Sequence, residues 1–163
     1  MIIIGYPGIG KTTFCETYFP SMDDRFNGKE INGYIDLESS WISKSIVHWE
    51  ETYCRIAIGL SKQGFVVFVS AHENVQNILE KSDEEVVVAI YPGLELKEQW
   101  IERLQKRYDA DPTGKNELAL LTVKANYDRH IKKLMNRKFY KYELSNMDYS
   151  LFKIITHEKD LWA

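Results

Sequence analysis

The run Gly5-Tyr6-Pro7-Gly8-Ile9-Gly10-Lys11-Thr12 follows directly on the apolar, β-branched stretch Met1-Ile2-Ile3-Ile4. It fits G-x-x-x-x-G-K-[ST] at every fixed position, a match expected by accident in roughly 0.5% of chains of this length. A buried strand ended by glycine, a tight loop and a helix opening at Lys11 is the local architecture this order of residues predicts. The chemistry follows from the residue types. Glycines let the backbone turn and aim its N–H groups at phosphate oxygens, and the start of the following helix adds positive potential. Lys11 reaches the β- and γ-phosphates, and the Thr12 hydroxyl ligates Mg²⁺. The expected ligands are therefore ATP or a related nucleoside triphosphate with Mg²⁺. Gly5, Gly8, Gly10, Lys11 and Thr12 contact them, Ile9 lies within the segment, and Tyr6 and Pro7 shape the loop.

The remainder of the chain alternates strands with helices. Tyr34–Leu37, the all-apolar Phe65–Val69 and Val86–Ile90, and Phe139–Leu144 read as further strands. Ile42, Ile46, Trp49, Tyr53, Ala57 and Leu60 recur at steps of three and four, predicting one long amphipathic helix stopped by Gly64. A shorter helix is expected over His72–Lys81. Leu96, Trp100, Leu104 and Tyr108, then Leu120, Val123, Tyr127, Ile131 and Leu134, mark two more helices. Asp111-Pro112 reads as the N-cap and first residue of the second of these. A terminal helix is expected near Tyr149–His157, and residues 21–33 read as a loop with turns at Asn27-Gly28 and Asn32-Gly33. The order predicts an α/β fold: a three-layer α/β/α domain over residues 1–163, built on a five-stranded parallel sheet.

Composition narrows the function. A chain of 163 residues with net charge −3 and 28% charged residues is neither a disordered tail nor a uniformly basic nucleic-acid binder, so a nucleic-acid partner is not favoured. The apolar runs are far shorter than the ~20 residues of a membrane helix. No basic leader precedes the first strand, so a cytoplasmic location is expected. Cys15 and Cys54 form no disulfide framework, and His48, His72, His130 and His157 lack metal-ligand spacing. Charge is unevenly placed. From Lys97 to Lys141 there are twelve Lys/Arg against six Asp/Glu, and the remainder carries nine against eighteen. Such a basic stretch either covers an anionic ligand or is a solvated helical face.

The usual second motif of a triphosphate site, an apolar strand ending in an acid, is missing from Phe65–Val69, which runs into Ser70-Ala71-His72. Asp36, with Glu38 two residues on, is the strand-end acid. It reads either as a site carboxylate or as a cap of the turn before the long helix. Arg55 reads as a surface arginine, and Trp41, Trp49 and Trp100 as core. No N-K-x-D sequence occurs, so the base reader of guanine-specific GTPases is absent.

With its triphosphate motif near the start, an acid ending the second strand and a basic helical stretch after the fourth, the chain resembles the small P-loop kinases. These include nucleoside monophosphate, adenylate, shikimate, gluconate and polynucleotide kinases and compact phage-type nucleotide kinases. The resemblance implies a Mg²⁺-dependent phosphotransferase carrying the γ-phosphoryl of ATP to a nucleoside or deoxynucleoside monophosphate. It adds Thr13 to the triphosphate contacts. It gives Asp36 the role of orienting or deprotonating the acceptor and helping hold Mg²⁺, and makes Arg103 and Arg107 catalytic arginines of a lid-like segment over residues 95–137. A hydroxyl acceptor, such as a polynucleotide end, modified base or sugar-like metabolite, is the first alternative. A regulatory nucleotide-binding module with slow ATPase activity is the second.

Overall fold

The structure, a computed structural model, describes residues 1–157. Five parallel strands form the central sheet: β1 (Ile2–Gly5), β4 (Gly33–Asp36), β5 (Phe65–Ser70), β6 (Val87–Pro92) and β7 (Tyr140–Leu144). Their spatial order is β4-β5-β1-β6-β7. Ile2 of β1 pairs with Val67 on one side and Val87 on the other. All of β1 and all of β6 are buried, which accounts for their unbroken apolar sequence. Helices α1 (Lys11–Thr17), α2 (Trp49–Lys62), α3 (Glu73–Lys81), α4 (Lys97–Ala110), α5 (Gly114–Met135) and α6 (Leu151–His157) flank the sheet. This is the expected α/β architecture. None of the described helices is long and apolar enough to cross a membrane.

Three local expectations are corrected. The long helix starts at Trp49, not near Ile42. Before it lie a 3₁₀ turn at Ser39–Trp41 and a segment closed by His48 in the left-handed region, φ 58°. Ser43 and Ser45 hydrogen-bond each other at 2.6 Å, and the Ser45 N–H donates to the Ser43 hydroxyl. Such local bonds compete with the helix that the apolar spacing suggested. Trp41, expected in the core, is consequently 68% exposed. The cap of α5 is Thr113, whose hydroxyl accepts from the Asn116 N–H. Asp111 instead ends α4, its φ of −145° and ψ of 86° outside the helical region that a residue before proline avoids. Within residues 21–33, β2 (Arg25–Phe26) and β3 (Lys29–Glu30) form a small antiparallel hairpin. Asn27 and Gly28, both at positive φ, make its turn.

The basic segment expected as a lid is a helix pair continuous with the core. Trp100 and Leu104 of α4, and Leu120, Val123, Tyr127, Ile131 and Leu134 of α5, are all buried. The Tyr127 hydroxyl donates to the Gly93 carbonyl at 2.8 Å, tying α5 to the end of β6. Residues of both helices, among them Arg107, Lys115 and His130, line cavities beside the Gly5–Thr12 loop and the end of β5.

Candidate functional site

The Gly5–Thr12 loop leaves β1 in the middle of the sheet and enters α1 through Gly10. Gly8 and Gly10 take left-handed backbone conformations that favour glycine. A Cβ on Gly5 would stand 2.6 Å from Ile9 Cδ1 and Lys11 Cδ. Gly8, at φ +90°, lies against α4, where a Cβ would come within 3.0 Å of Leu104 Cδ2 and 3.2 Å of Trp100 Nε1. The rear of the loop is clamped through three successive carbonyls. Trp100 Nε1–H donates to Pro7 O at 2.8 Å, Arg103 Nη1–H to Gly8 O at 3.5 Å, and the Tyr149 hydroxyl to Ile9 O at 3.1 Å. Arg103 also donates to the Tyr149 hydroxyl at 2.7 Å and to the Met147 carbonyl. Its guanidinium lies over the rings of Trp100 and Tyr149. Two of its amides are spent within the backbone: the Tyr6 N–H donates to Ile90 O at 3.1 Å and the Ile9 N–H to Tyr6 O at 3.2 Å.

In front of the loop lies a cleft of about 520 Å³, lined among others by Gly8, Lys11, Thr12, Thr13, Arg107 and Lys115. The Lys11 ammonium donates to Gly5 O at 3.2 Å. Burial pulls its pKa below the usual lysine value, against the opposing pull of Asp36 and Glu38. The Thr12 hydroxyl donates to Asp36 Oδ2 at 2.6 Å. Asp36 is brought there because β4 pairs with β5, and the Tyr53 hydroxyl locks the two strand ends together. That hydroxyl donates to Leu37 O and accepts from the Ser70 N–H at 3.0 Å. Arg107 is exposed at the cleft rim, one helical turn beyond Arg103. Lys115, on the first turn of α5, reaches across to pair with Glu38 Oε1 at 2.5 Å.

The structure thus brings Lys11, Thr12, Thr13 and Asp36 together, with Arg107 and Glu38 beside them. It separates the two arginines by role: Arg107 has no hydrogen-bond or ion-pair partner among the described residues, whereas Arg103 braces the loop while also lining the cleft. Tyr6 and Ile9 are buried behind the loop, and Pro7 contributes its carbonyl to the clamp. Arg55 is on the exposed side of α2. Trp100, Tyr149, Lys115 and Tyr53 were not read from the sequence as site residues. The spacing of Trp100 and Tyr53 marked them only as core, and nothing in sequence spacing joins Lys115 to Glu38.

The cleft's donor set suits a hard cation that keeps most of its own water. Thr12 Oγ1 and the Asp36 carboxylate are adjacent oxygens, and the described residues hold no cluster of three or more His, Cys, Asp or Glu of the kind a protein-caged metal needs. No protein-family model matches the chain, and no curated protein matches its sequence.

Proposed function

We propose that the chain is a Mg²⁺-dependent phosphotransferase that moves the γ-phosphoryl group of ATP to a small acceptor. The observation carrying this reading is the Thr12–Asp36 hydrogen bond at 2.6 Å, made beside Lys11 in a cleft rimmed by Arg107. It joins the motif threonine to the acid that ends β4, two places from β1 in the sheet. Thr12 Oγ1 and the Asp36 carboxylate would hold Mg²⁺, which would supply positive charge to offset that of the phosphates. Lys11 hydrogen-bonds the phosphoryl oxygens from the cleft floor, and Arg107 supplies further positive charge from the rim. Asp36 orients the acceptor. As the bond from the γ-phosphorus to the acceptor oxygen forms, the bond to the β-phosphate oxygen breaks, and ADP leaves. The α4–α5 corner shields this exchange from water, without which a kinase hydrolyses ATP. Both a nucleoside or deoxynucleoside monophosphate and a hydroxyl compound are candidate acceptors.

A second reading is favoured by the end of β5, where Ser70-Ala71-His72 supplies no acid. A nucleotide-binding regulatory module with slow ATPase activity is expected to lack one. Labelled ATP incubated with nucleotides, oligonucleotides and sugars separates the two. A kinase gives turnover that rises sharply with one acceptor class and falls at least about a hundredfold in Lys11→Ala, with the melting temperature kept. Acceptor-independent slow hydrolysis favours the module. Turnover of Lys11→Ala within tenfold of wild type defeats both.

A further inference from the structure

Two elements far apart in the chain meet across the cleft in front of the Gly5–Thr12 loop. Glu38 follows β4 and opens the 3₁₀ turn at Ser39–Trp41. Lys115 stands on the first turn of α5. Both line the cleft, and an ion pair joins their side chains although they are 77 residues apart in sequence. A lysine at that place does nothing for its own helix, because the amino end of a helix is already positive. Glu38 is the acid that offsets it. Its side chain is 25% exposed against 57% for Lys115, so the ammonium is the more open partner.

The polar groups of the cleft are unevenly committed. Thr12 is bonded to Asp36, and Arg103 is spent on Tyr149 and on loop carbonyls. The Lys11 ammonium is depressed by burial, with Asp36 and Glu38 opposing that shift and Lys115 and Arg107 adding to it. Lys115 is thus within electrostatic reach of Lys11, and an anion bound beside Lys11 competes with Glu38 for it. The lysine stem is long and flexible. Its ammonium can change partners while α5, held by its buried face and the Tyr127 bond, stays still. An exposed carboxylate holds a lysine weakly, whereas the oxygens of a triphosphate carry more charge and accept more strongly.

We propose that the Lys115–Glu38 pair stores a second phosphate-binding lysine: when a triphosphate enters the cleft, the Lys115 ammonium leaves Glu38 and donates to a phosphate oxygen beside Lys11. No covalent bond changes in this exchange. Glu38 therefore acts against the ligand, since it holds the lysine that the phosphates need, and it sets how readily the cleft fills. This rests on the triphosphate-binding part of the phosphotransferase reading and holds whether or not transfer to an acceptor follows.

Titration calorimetry of the full chain tests this with Mg²⁺ and a non-hydrolysable ATP analogue, and separately with inorganic tripolyphosphate. Lys115→Ala should weaken binding of both probes about tenfold, the loss of one charged hydrogen bond. Glu38→Gln should tighten both about two- to fivefold, because an exposed ion pair no longer has to be broken. Added to Lys115→Ala, Glu38→Gln should bring no further gain, since no lysine is left to release. A plain strut between β4 and α5 predicts that the two single substitutions act alike. General attraction predicts the same gain from Glu38→Gln with or without Lys115. Either result overturns the exchange, as does unchanged affinity in Lys115→Ala or failure of the wild-type protein to bind either probe. Binding that follows the expected cycle, with no acceptor-dependent turnover, defeats the phosphotransferase reading and leaves the exchange standing.

Discussion

The two sides of the Gly5–Thr12 loop are made of different materials. Toward the cleft stand Lys11, Thr12, Asp36 and Arg107, small or charged groups in a solvent-accessible space. Toward α4 stand Trp100 and Tyr149, whose polar edges hold the loop's carbonyls, and the buried ring of Tyr6 packed against Trp100. Arg103 belongs to the second side although its charge resembles the first. The difference teaches where rigidity originates. A loop that must keep its amides aimed at a highly charged ligand is held best by contacts that the ligand never touches, so that nothing has to reorganise when charge arrives.

Substitutions on the two sides should therefore separate into losses of turnover and losses of stability. The largest effect is expected at the front, from Asp36→Asn. This nearly isosteric change removes the charge and should lower kcat by about 10²–10⁴-fold, with ATP affinity largely kept. Full activity in steady-state kinetics would return Asp36 to a turn cap. At the rear, Trp100→Ala removes a fully buried ring together with the Pro7 bond. It should cost about 3–5 kcal/mol, read as a fall in melting temperature of roughly 10 °C or more. A melt near that of wild type would mean that the loop does not depend on its clamp.

The arginines sharpen the contrast because they are one turn apart on the same helix. Arg107→Ala should lower acceptor-dependent turnover at least about tenfold, with an unchanged melt, as for a charge that acts on the transferring group. Arg103→Ala should lower the melting temperature as well, since it gives up several hydrogen bonds and two ring contacts, each bond worth about 0.5–1.5 kcal/mol. Equal behaviour of the two variants would erase the distinction between front and back. The smallest change in stability belongs to Lys115→Ala. Lys115 is exposed while its partner Glu38 is half-buried, and loss of the pair should change stability by about 1 kcal/mol or less in denaturant melts.

The front of the site was legible in the sequence because its residues are close in the chain or end a recognisable strand. Spacing alone places Gly5, Gly8, Gly10, Lys11 and Thr12, and the apolar runs place β1, β5 and β6. The back was not legible, because Trp100 meets Pro7, and Tyr149 meets Ile9, only after distant segments have packed. Periodicity identified Trp100 as buried but not as a hydrogen-bond donor to the loop. The same reasoning misplaced the start of α2, where Ile42 and Ile46 continue the apolar repeat but serine hydroxyls hold the backbone in turns. It also placed the cap at Asp111 rather than Thr113, since Asp-Pro is a strong start signal that here closes the preceding helix.

The central place of β1 has a consequence for how the chain acquires its structure. The strand that launches the glycine-rich loop comes first in sequence, yet its partners are β5 and β6, and Ile2 acquires both ladders only when Val67 and Val87 arrive. Parallel pairings across such separations are slow, since chain entropy is lost before any contact repays it. On the ribosome, Ile2-Ile3-Ile4 therefore waits as an unpaired apolar segment until β5 is made, and keeps one open edge until β6 follows, a template for association with other chains. Chains ending before β6 should aggregate, and the glycine-rich loop should be among the last parts of the molecule to form.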